Sequence, residues 1–165
     1  MNRSWLIPLF LLCVFVAERS HSQVVIPEKE GDELHESLFG LGLAGGPASG
    51  IGLSFRHHLP LAFSYQLTGG VIKVDEKLYY SVGGEFQYDL VRSERTRIFA
   101  VGGLGYYYAG EGRNEMEGPG RLGLGVGGEF QVYEGLHGIA EGVFTYFTDG
   151  TILPLPQAGL FYYFR

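Results

Sequence analysis

Two carboxylates stand at equivalent places in a repeated segment of the sequence. Residues 82–87 and residues 126–131 both read Val-Gly-Gly-Glu-Phe-Gln, which makes Glu85 and Glu129 counterparts. A pair of carboxylates on one wall can exchange protons as a general acid and base, or it can bind the guanidinium groups of arginines. Which chemistry applies depends on the elements that carry the two residues and on what else faces the same side.

Other candidate motifs fail the test of their context. Residues 123–128 fit the dinucleotide fingerprint G-x-G-x-x-G, but that signature opens a helix, and here it lies inside an alternating strand pattern. The adjacent His57 and His58 point to opposite faces of a strand, and His35 and His137 are isolated, so no metal set forms. No nucleophile elbow or Ser-His pairing is visible. We therefore predict no cofactor, no metal, no catalytic residue and no enzymatic activity.

The elements that carry these residues are β-strands. From residue 38 onward, apolar residues alternate with small or polar ones in eight segments separated by turn signals. The fourth segment shows the rule best, and its 78–90 span is long enough to cross a bilayer at a tilt, for which ~9–11 residues suffice. The facing of the fifth is left open, because both of its faces are apolar. The predicted strands cover 38–45, 50–57, 61–71, 78–90, 98–108, 121–133, 139–148 and a final strand containing 157–165.

One face of these strands carries a set of charged and amide side chains. If the sheet closes into an eight-stranded barrel, its interior is just wide enough for side chains to fill, and charges buried there need partners. We predict that Arg56 lies among Glu85, Glu129 or Glu141, and that glycines on the same face make room for the long side chains. A gated polar path and a catalytic carboxylate pair remain the alternatives. The predicted ion-pair network consists of Arg56, Glu85, Arg121, Glu129 and Glu141, with Gln66, Gln87 and Gln131 on the same face.

The first 37 residues differ from the rest. Arg3 followed by an apolar run over residues 5–17 predicts a secretory signal, too short to span a bilayer, with cleavage after Ser22. Cys13 lies inside this run without the small and polar neighbours of a lipidation site, so we expect a mature chain without thiols. Residues 23–37 are acidic and predict a flexible periplasmic lead-in, with a plug or binding arm as the alternative. The predicted domains are therefore 1–22, 23–37 and a barrel over 38–165.

The last predicted strand has aromatic residues on both faces. Gln157, Gly159, Tyr162 and Phe164 follow the order of a polar residue, a glycine two later, and aromatic residues three and five after the glycine. This order resembles the C-terminal assembly signal of bacterial outer-membrane barrels. In that family the final aromatic is usually the last residue, whereas here Arg165 follows it. The resemblance implies that the barrel-assembly machinery recognises the strand.

Taken together, the chain from Leu38 onward resembles the small eight-stranded outer-membrane barrels of the OmpA, OmpX and OmpW kind, often grouped as a porin family. The resemblance implies an all-β, antiparallel, up-and-down transmembrane β-barrel in the cell envelope of a Gram-negative bacterium. Its apolar face would contact outer-membrane lipid, and both termini would face the periplasm. The outer loops would then be 45–49, 72–77, 109–120 and 149–154, the third being the longest and most charged.

Three functions remain open on the sequence. The first is a structural or surface-interaction protein of the outer membrane with a packed lumen and an unidentified extracellular partner. The second, which the OmpW-like members suggest, is a narrow channel for small or hydrophobic solutes. The third is a soluble secreted lipocalin-like barrel, which needs the Leu/Phe/Tyr face to point inward. A net charge of −6 argues against nucleic acid as a partner.

Overall fold

The computed structural model describes residues 37–93 and 95–164. The predicted signal peptide, and all of the acidic lead-in except Ser37, lie outside the described residues. The predicted fold class is confirmed, because eight antiparallel strands form one closed barrel in which β8 pairs with β1. The strands are β1 (Leu38–Gly46), β2 (Gly50–His58), β3 (Phe63–Val74), β4 (Lys77–Arg92), β5 (Thr96–Gly110), β6 (Gly120–Tyr133), β7 (Leu136–Phe147) and β8 (Ile152–Phe164). Among the described residues, no helix has the length and apolar character needed to cross a membrane.

The two ends of the barrel carry different connections. We call the end that holds Leu38 and Phe164 the lower end, and the opposite end the upper end. The lower end has the connections 59–62, 93–95 and 134–135. The upper end has 47–49, 75–76, 111–119 and 148–151, of which 111–119 is the longest, as the sequence predicts. In the two-residue turn at 134–135, Gly135 has a φ of 74°, a backbone angle that residues with a side chain rarely adopt.

The strands turn their apolar side chains outward and their polar ones inward. On β4, Glu85 is 2% exposed and Gln87 is 1% exposed, whereas Phe86 between them is 72% exposed. The same inversion holds on β6, where Leu124 is 72% exposed and Glu129 is 6% exposed. In water, an uninterrupted apolar exterior of this kind would drive aggregation. The Leu/Phe/Tyr face therefore points away from the interior, opposite to what a lipocalin-like barrel requires.

Three strands begin two or more residues earlier than predicted. β5 begins at Thr96, so Arg97 lies in the strand and not in the preceding loop. β7 begins at Leu136, because a two-residue turn leaves His137 paired with β6. β8 begins at Ile152 and includes Pro154, which the sequence places in a loop. Hydrogen-bonded neighbours extend these strands beyond the point where local composition suggests a turn.

The facing of β5, left open by the sequence, is settled by closure of the barrel. Phe99 is fully buried and Val101 is 4% exposed on the inner face, while Ile98 and Leu104 lie on the exposed outer face. Phe99 and Phe161 of β8 form part of a small apolar cluster within the polar interior. The interior is therefore mixed, with aromatic rings packed between charged groups.

Candidate functional site

The charged interior is built by the register of neighbouring strands. Arg56 of β2 is paired with Gln66 of β3, which is paired with Glu85 of β4, so the three side chains enter the barrel at one level. Across the interior, Glu141 of β7 is paired with Gln157 of β8. Because side chains alternate along each strand, all five residues point inward. Closure of the sheet brings these two groups together.

Arg56 is at the centre of this arrangement and is 1% exposed. Its Nη1 lies 3.2 Å from Oε2 of Glu129, and its Nη2 lies 3.8 Å from Oε1 of Glu141. Its Nε donates to Oε1 of Gln66 at 3.0 Å, and the guanidinium carbon lies 4.6 Å from the centroid of the Phe161 ring. Arg56 therefore forms ion pairs with Glu129 and Glu141, two of the neighbours that the sequence predicts for it.

Glu85 and Glu141 are joined by amides rather than by a cation. Nε2 of Gln157 donates to Oε1 of Glu85 and to Oε2 of Glu141, both at 2.9 Å. Nε2 of Gln87 donates to Oε2 of Glu85 at 3.2 Å. The cavity beside this pair has a volume of only about 10 Å³, which is room for no more than one water molecule. A carboxylate pair without space for a substrate is poorly suited to catalysis.

Arg97 is a central member of the interior that sequence reasoning missed. Its Nη2 lies 2.8 Å from Oε2 of Glu129, and its Nη1 lies 2.8 Å from Oδ1 of Asp89. It also donates to Ser64 Oγ at 2.8 Å and to Gln87 Oε1 at 2.7 Å. Arg97 lies two residues before Phe99 and so shares its face of the strand. The sequence does not show which face of β5 points inward, so this spacing could not identify Arg97 as an interior residue.

Arg121 does not join the ion pairs, in contrast to its predicted place in the network. It lies near the upper end of β6, eight residues from Glu129, a separation of about 27 Å along a strand. Its guanidinium carbon lies 3.9 Å from the ring centroid of Tyr107 and 4.8 Å from that of Phe147. Among the described residues, no carboxylate lies within ion-pair distance of it. Arg121 therefore belongs to an aromatic cluster above the network.

The turn between β1 and β2 folds into the barrel and closes it from above. We call residues 46–50 the inturned turn. Ala48 is fully buried and Ser49 is 2% exposed, although both belong to a connection between strands. The backbone N–H of Ala48 donates to Oε1 of Gln157 at 3.0 Å, which ties the turn to the carboxylates below. Ala48 and Ser49 crowd against Gly83, Gly105 and Gly123 on the inner wall.

The inward glycines make room for two different features, and only one of them is the charged network that the sequence predicts. Gly127 does face the Glu141 side chain, as predicted for glycines that make room for the charged network. Gly83 and Gly105 instead face the backbone of the inturned turn, and an added Cβ at either would meet that backbone. The glycines near the upper end therefore accommodate a turn of the main chain. The sequence does not reveal this role of the glycines, because residues 45–49 are predicted there as an outer loop.

Tyr107 holds the inturned turn through its hydroxyl group, which donates to the carbonyl oxygen of Gly46 and accepts from the N–H of Gly50 at 2.9 Å. We expect Tyr107→Phe to lower the free energy of unfolding by about 1–3 kcal/mol, because it leaves buried backbone groups unsatisfied. Tyr108→Phe is the matched control, since its ring stacks on Tyr80 at 4.8 Å and the substitution keeps that contact. Urea unfolding in detergent, followed by gel mobility, measures both. Equal unfolding midpoints for the two variants would contradict the assigned role of the hydroxyl.

The lower end of the barrel contains a cavity of about 810 Å³. Its inner boundary is formed by His58, Arg97, Glu129 and Tyr163, which are all buried. His58 is held by Ser64 Oγ and by the Tyr163 hydroxyl, each at 2.7 Å from a ring nitrogen. Glu129 is also an ion-pair partner of Arg56, so the inner boundary of the cavity contacts the layer of Arg56 above.

The adjacent His57 and His58 lie on opposite faces of β2, as the sequence predicts. His57 faces outward, where it stacks on Phe39 at 4.2 Å between ring centroids, while His58 faces inward. Nδ1 of His137 lies 3.0 Å from Oε1 of Glu129. Within residues 37–93 and 95–164, no group of three or more histidine, cysteine or acidic side chains is placed to hold a metal ion.

The residues of the predicted assembly signal divide between two faces of β8. Tyr162 and Phe164 face outward, with their ring centroids 5.2 Å apart. Gln157 faces inward and is 5% exposed, where it binds both carboxylates and the inturned turn. Gly159 is paired with Ala44 of β1. Gln157 therefore has a structural contact that accounts for its polarity, whatever its part in assembly.

The longest upper connection is ordered by its own polar contacts. Asn114 accepts from the N–H of Ala109 at 3.1 Å and donates to the carbonyl oxygen of Tyr107 at 2.7 Å. Nζ of Lys77 lies 2.9 Å from Oε2 of Glu115, and this hydrogen bond lowers the pKa of Glu115 from its ordinary value. Both charges are exposed, so the pair contributes little to stability. The loop presents a defined surface at the upper end.

Comparison with known proteins adds a likeness of fold. No protein-family model and no curated protein matches the sequence. The chain is similar to the outer membrane protein Ail of Yersinia pestis in a phospholipid bilayer nanodisc, at 15% identity over 79% of this chain and 99% of that chain, with a TM-score of 0.45. It is also similar to a major outer membrane protein of Thermus thermophilus, at 10% identity over 79% of this chain and 100% of that chain, with a TM-score of 0.47.

A third solved structure is Neisserial surface protein A, at 17% identity over 77% of this chain and 91% of that chain, with a TM-score of 0.35. Two of the three are outer membrane proteins by description, the class that this sequence resembles. At these identities and scores, the likeness transfers no residue role and no activity to this chain.

Proposed function

We propose that this protein is an integral outer-membrane β-barrel with a closed interior and a structural or surface-interaction role. The observation that carries the proposal is the inverted pattern of the barrel. Its exterior is apolar, as at Leu53, which is 74% exposed, and its interior holds Arg56, Arg97 and their carboxylates. A bilayer is the solvent in which this pattern is stable, because lipid covers the apolar face and closure pairs β8 with β1, so that every strand has a neighbour on both sides over most of the wall.

The aromatic side chains support this placement. Tyr162 and Phe164 face outward at the lower end, and Tyr106 and Tyr146 face outward near the upper end. Tyrosine is favoured at the boundary between hydrocarbon and water, where its ring is buried and its hydroxyl is hydrated. On β7, Tyr146 lies ten residues from Leu136, the partner of Tyr162, a height of about 25 Å at the usual strand tilt, which suits the apolar band of a membrane barrel. Export by the predicted signal at 1–22 and recognition of β8 by the assembly machinery complete the proposal.

The packed interior favours a closed barrel over a channel. The Arg56 layer is bounded above by the inturned turn and below by the contacts of His58 and Arg97. A solute path would require these ion pairs and the turn to separate together. The protein would therefore act through its ordered upper loops, including the segment 111–119, on a partner outside the cell.

Membrane fractionation tests the location. The expressed protein should appear in the outer-membrane fraction, require detergent for extraction and migrate differently before and after boiling. A protein that is freely soluble in the periplasm, with unchanged mobility, would overturn the proposal.

Conductance tests the closed interior separately. The purified, folded barrel should give no stable conductance steps in planar bilayers. A steady conductance from protein that passes the gel test would favour the channel alternative and leave the membrane location intact.

A further inference from the structure

The wall of the barrel is incomplete near the upper end. β1 pairs with β8 only as far as Gly45 and Ala158, and β2 pairs with β3 only as far as Leu53 and Gly69. Beyond these points, residues 70–74 of β3 pair only with β4, and residues 152–157 of β8 pair only with β7. The missing wall corresponds to two strands, a width of about 14 Å between the β3 and β8 edges. We call this gap the lateral notch.

The notch exists because the β1–β2 hairpin leaves the wall. Each of its strands has 9 residues, compared with 16 in β4 and 15 in β5. At its tip, the N–H of Ile51 donates to Ser81 Oγ at 2.9 Å, so the chain crosses the inner face of β3 and reaches β4. The inturned turn thereby forms the floor of the notch instead of extending its wall.

The β8 edge of the notch is poor in hydrogen-bond donors. The carbonyl oxygen of Leu160 faces Gly42 of β1, so even-numbered residues of β8 direct their backbone groups toward that side. Pro154 and Pro156 share this parity, and their nitrogen atoms carry no hydrogen. Proline on an unpaired edge discourages the addition of another strand. The β8 edge therefore disfavours the addition of a β-strand from a second chain.

The inner face beside the notch is apolar and exposed, unlike the inner face elsewhere. Ile72 and Val74 continue the inward row of Gln66 and Thr68, yet they are 67% and 54% exposed. On the opposite edge, Leu155 and Leu153 continue the inward row of Gln157; Leu155 is half-buried and Leu153 is 43% exposed. These side chains neither pack in the interior nor face outward. They leave an apolar surface that opens sideways through the wall.

The height of the notch matches the upper boundary of the apolar band. Val71 on one edge is paired with Tyr80, and Ile152 on the other is paired with the outward Tyr146. Lys73 lies exposed on the outer face of β3 at the rim, next to this tyrosine level. In the proposed membrane, the notch therefore meets the outer leaflet, with a cation at the level of the headgroups.

We propose that the lateral notch admits a hydrocarbon chain of an outer-leaflet lipid, which lies against Ile72, Leu153 and Leu155 with its anionic headgroup near Lys73. The occupant is an acyl lipid because the notch is continuous with the lipid-facing surface, the side chains named on its two edges are apolar, and the prolines of its β8 edge oppose strand addition. The inference rests on the proposed membrane location. It adds a lipid-binding site to a barrel whose interior is otherwise closed.

Tryptophan fluorescence can test the notch directly, since the one tryptophan of the chain is Trp5, within the predicted signal peptide. Leu153→Trp and Ile72→Trp place a reporter on each edge of the notch. Ala109→Trp is the matched control, because it faces inward at the same level on β5, across the barrel. Leu124→Trp reports on the lipid-facing wall. Each folded variant is placed in phosphatidylcholine vesicles with or without bromine on the acyl chains.

The expected result is that brominated chains quench the emission of Leu153→Trp and Ile72→Trp nearly as much as that of Leu124→Trp, and that of Ala109→Trp much less. Replacing Leu155 with Asp in the Leu153→Trp protein should reduce the quenching. If quenching at both edges is no greater than at Ala109→Trp, the proposed lipid site in the notch is wrong. The quenching of Leu124→Trp would still support the membrane location. If Leu124→Trp itself is not quenched, the proposed membrane location fails.

Discussion

Replacing Arg56 with Met should destabilise the folded barrel by about 3–5 kcal/mol. The substitution keeps most of the side-chain volume but leaves Glu141 without its arginine, and it removes one of the two arginines at Glu129. Gln66 also loses the donor to its Oε1. Uncompensated charges in a space closed to water are the physical cause of the loss. The measurement is the urea midpoint of the compact, heat-modifiable form in detergent.

Two further variants separate charge from volume. Arg121→Met removes an arginine that stacks on Tyr107 and Phe147 without an ion pair, so its midpoint should fall clearly less. Adding Glu141→Gln to Arg56→Met removes the stranded carboxylate, while Arg97 still pairs with Glu129, so part of the lost stability should return. If Arg56→Met and Arg121→Met shift the midpoint equally, or if the second substitution restores nothing, the ion-pair explanation is wrong.

Gly125→Ala should lower the free energy of unfolding by about 1–3 kcal/mol, the usual cost of overpacking. Gly125 is paired with Val143 on β7, and an added Cβ would overlap the carbonyl oxygen of Gly142 and lie 2.8 Å from the Val143 Cα. The added Cβ would meet backbone atoms of β7. Because β7 is paired with both β6 and β8, its backbone cannot move away freely. The measurement is again the urea midpoint in detergent, together with the amount of protein that reaches the heat-modifiable form.

Gly142→Ala provides the control on the neighbouring strand. An added Cβ at Gly142 meets nothing within 4 Å, and the residue has no left-handed backbone angle. The same chemical change should therefore be neutral or slightly stabilising, by up to about 1 kcal/mol, because alanine restricts the unfolded chain. A comparable loss in both variants would show that glycine content, and not the close approach of β6 and β7, limits the stability of this wall.

The interior also bears on function. Its carboxylates are held by arginine and glutamine side chains, and the space beside the Glu85–Glu141 pair is too small for a substrate. The surfaces that remain open to partners lie at the upper end, where the apolar notch and the ordered loop at 111–119 meet the outer boundary of the proposed membrane. Lipid and extracellular contacts are thus expected at the same end of the molecule.

The sequence by itself determined the eight strands, their alternation and the inward position of Arg56, Glu85, Glu129 and Glu141. These features depend on the two-residue period of a strand, which is local and can be read from residue types alone. The repeated segments at 82–87 and 126–131 made the inward carboxylates visible for the same reason. Boundaries were less certain, as the extension of β5 to include Arg97 shows.

Only the tertiary structure decided which inward residues meet. Contacts across a barrel depend on the register of each strand pair, and a register is set by the closure of the whole sheet. Register places Arg97 on Glu129 and leaves Arg121 among aromatic rings. It also ends β1 and β2 below their neighbours, so that residues 46–50 turn inward and the wall opens between β3 and β8. A short hairpin looks like an ordinary loop in the sequence, because its partners Ser81, Tyr107 and Gln157 are 30 to 109 residues away along the chain.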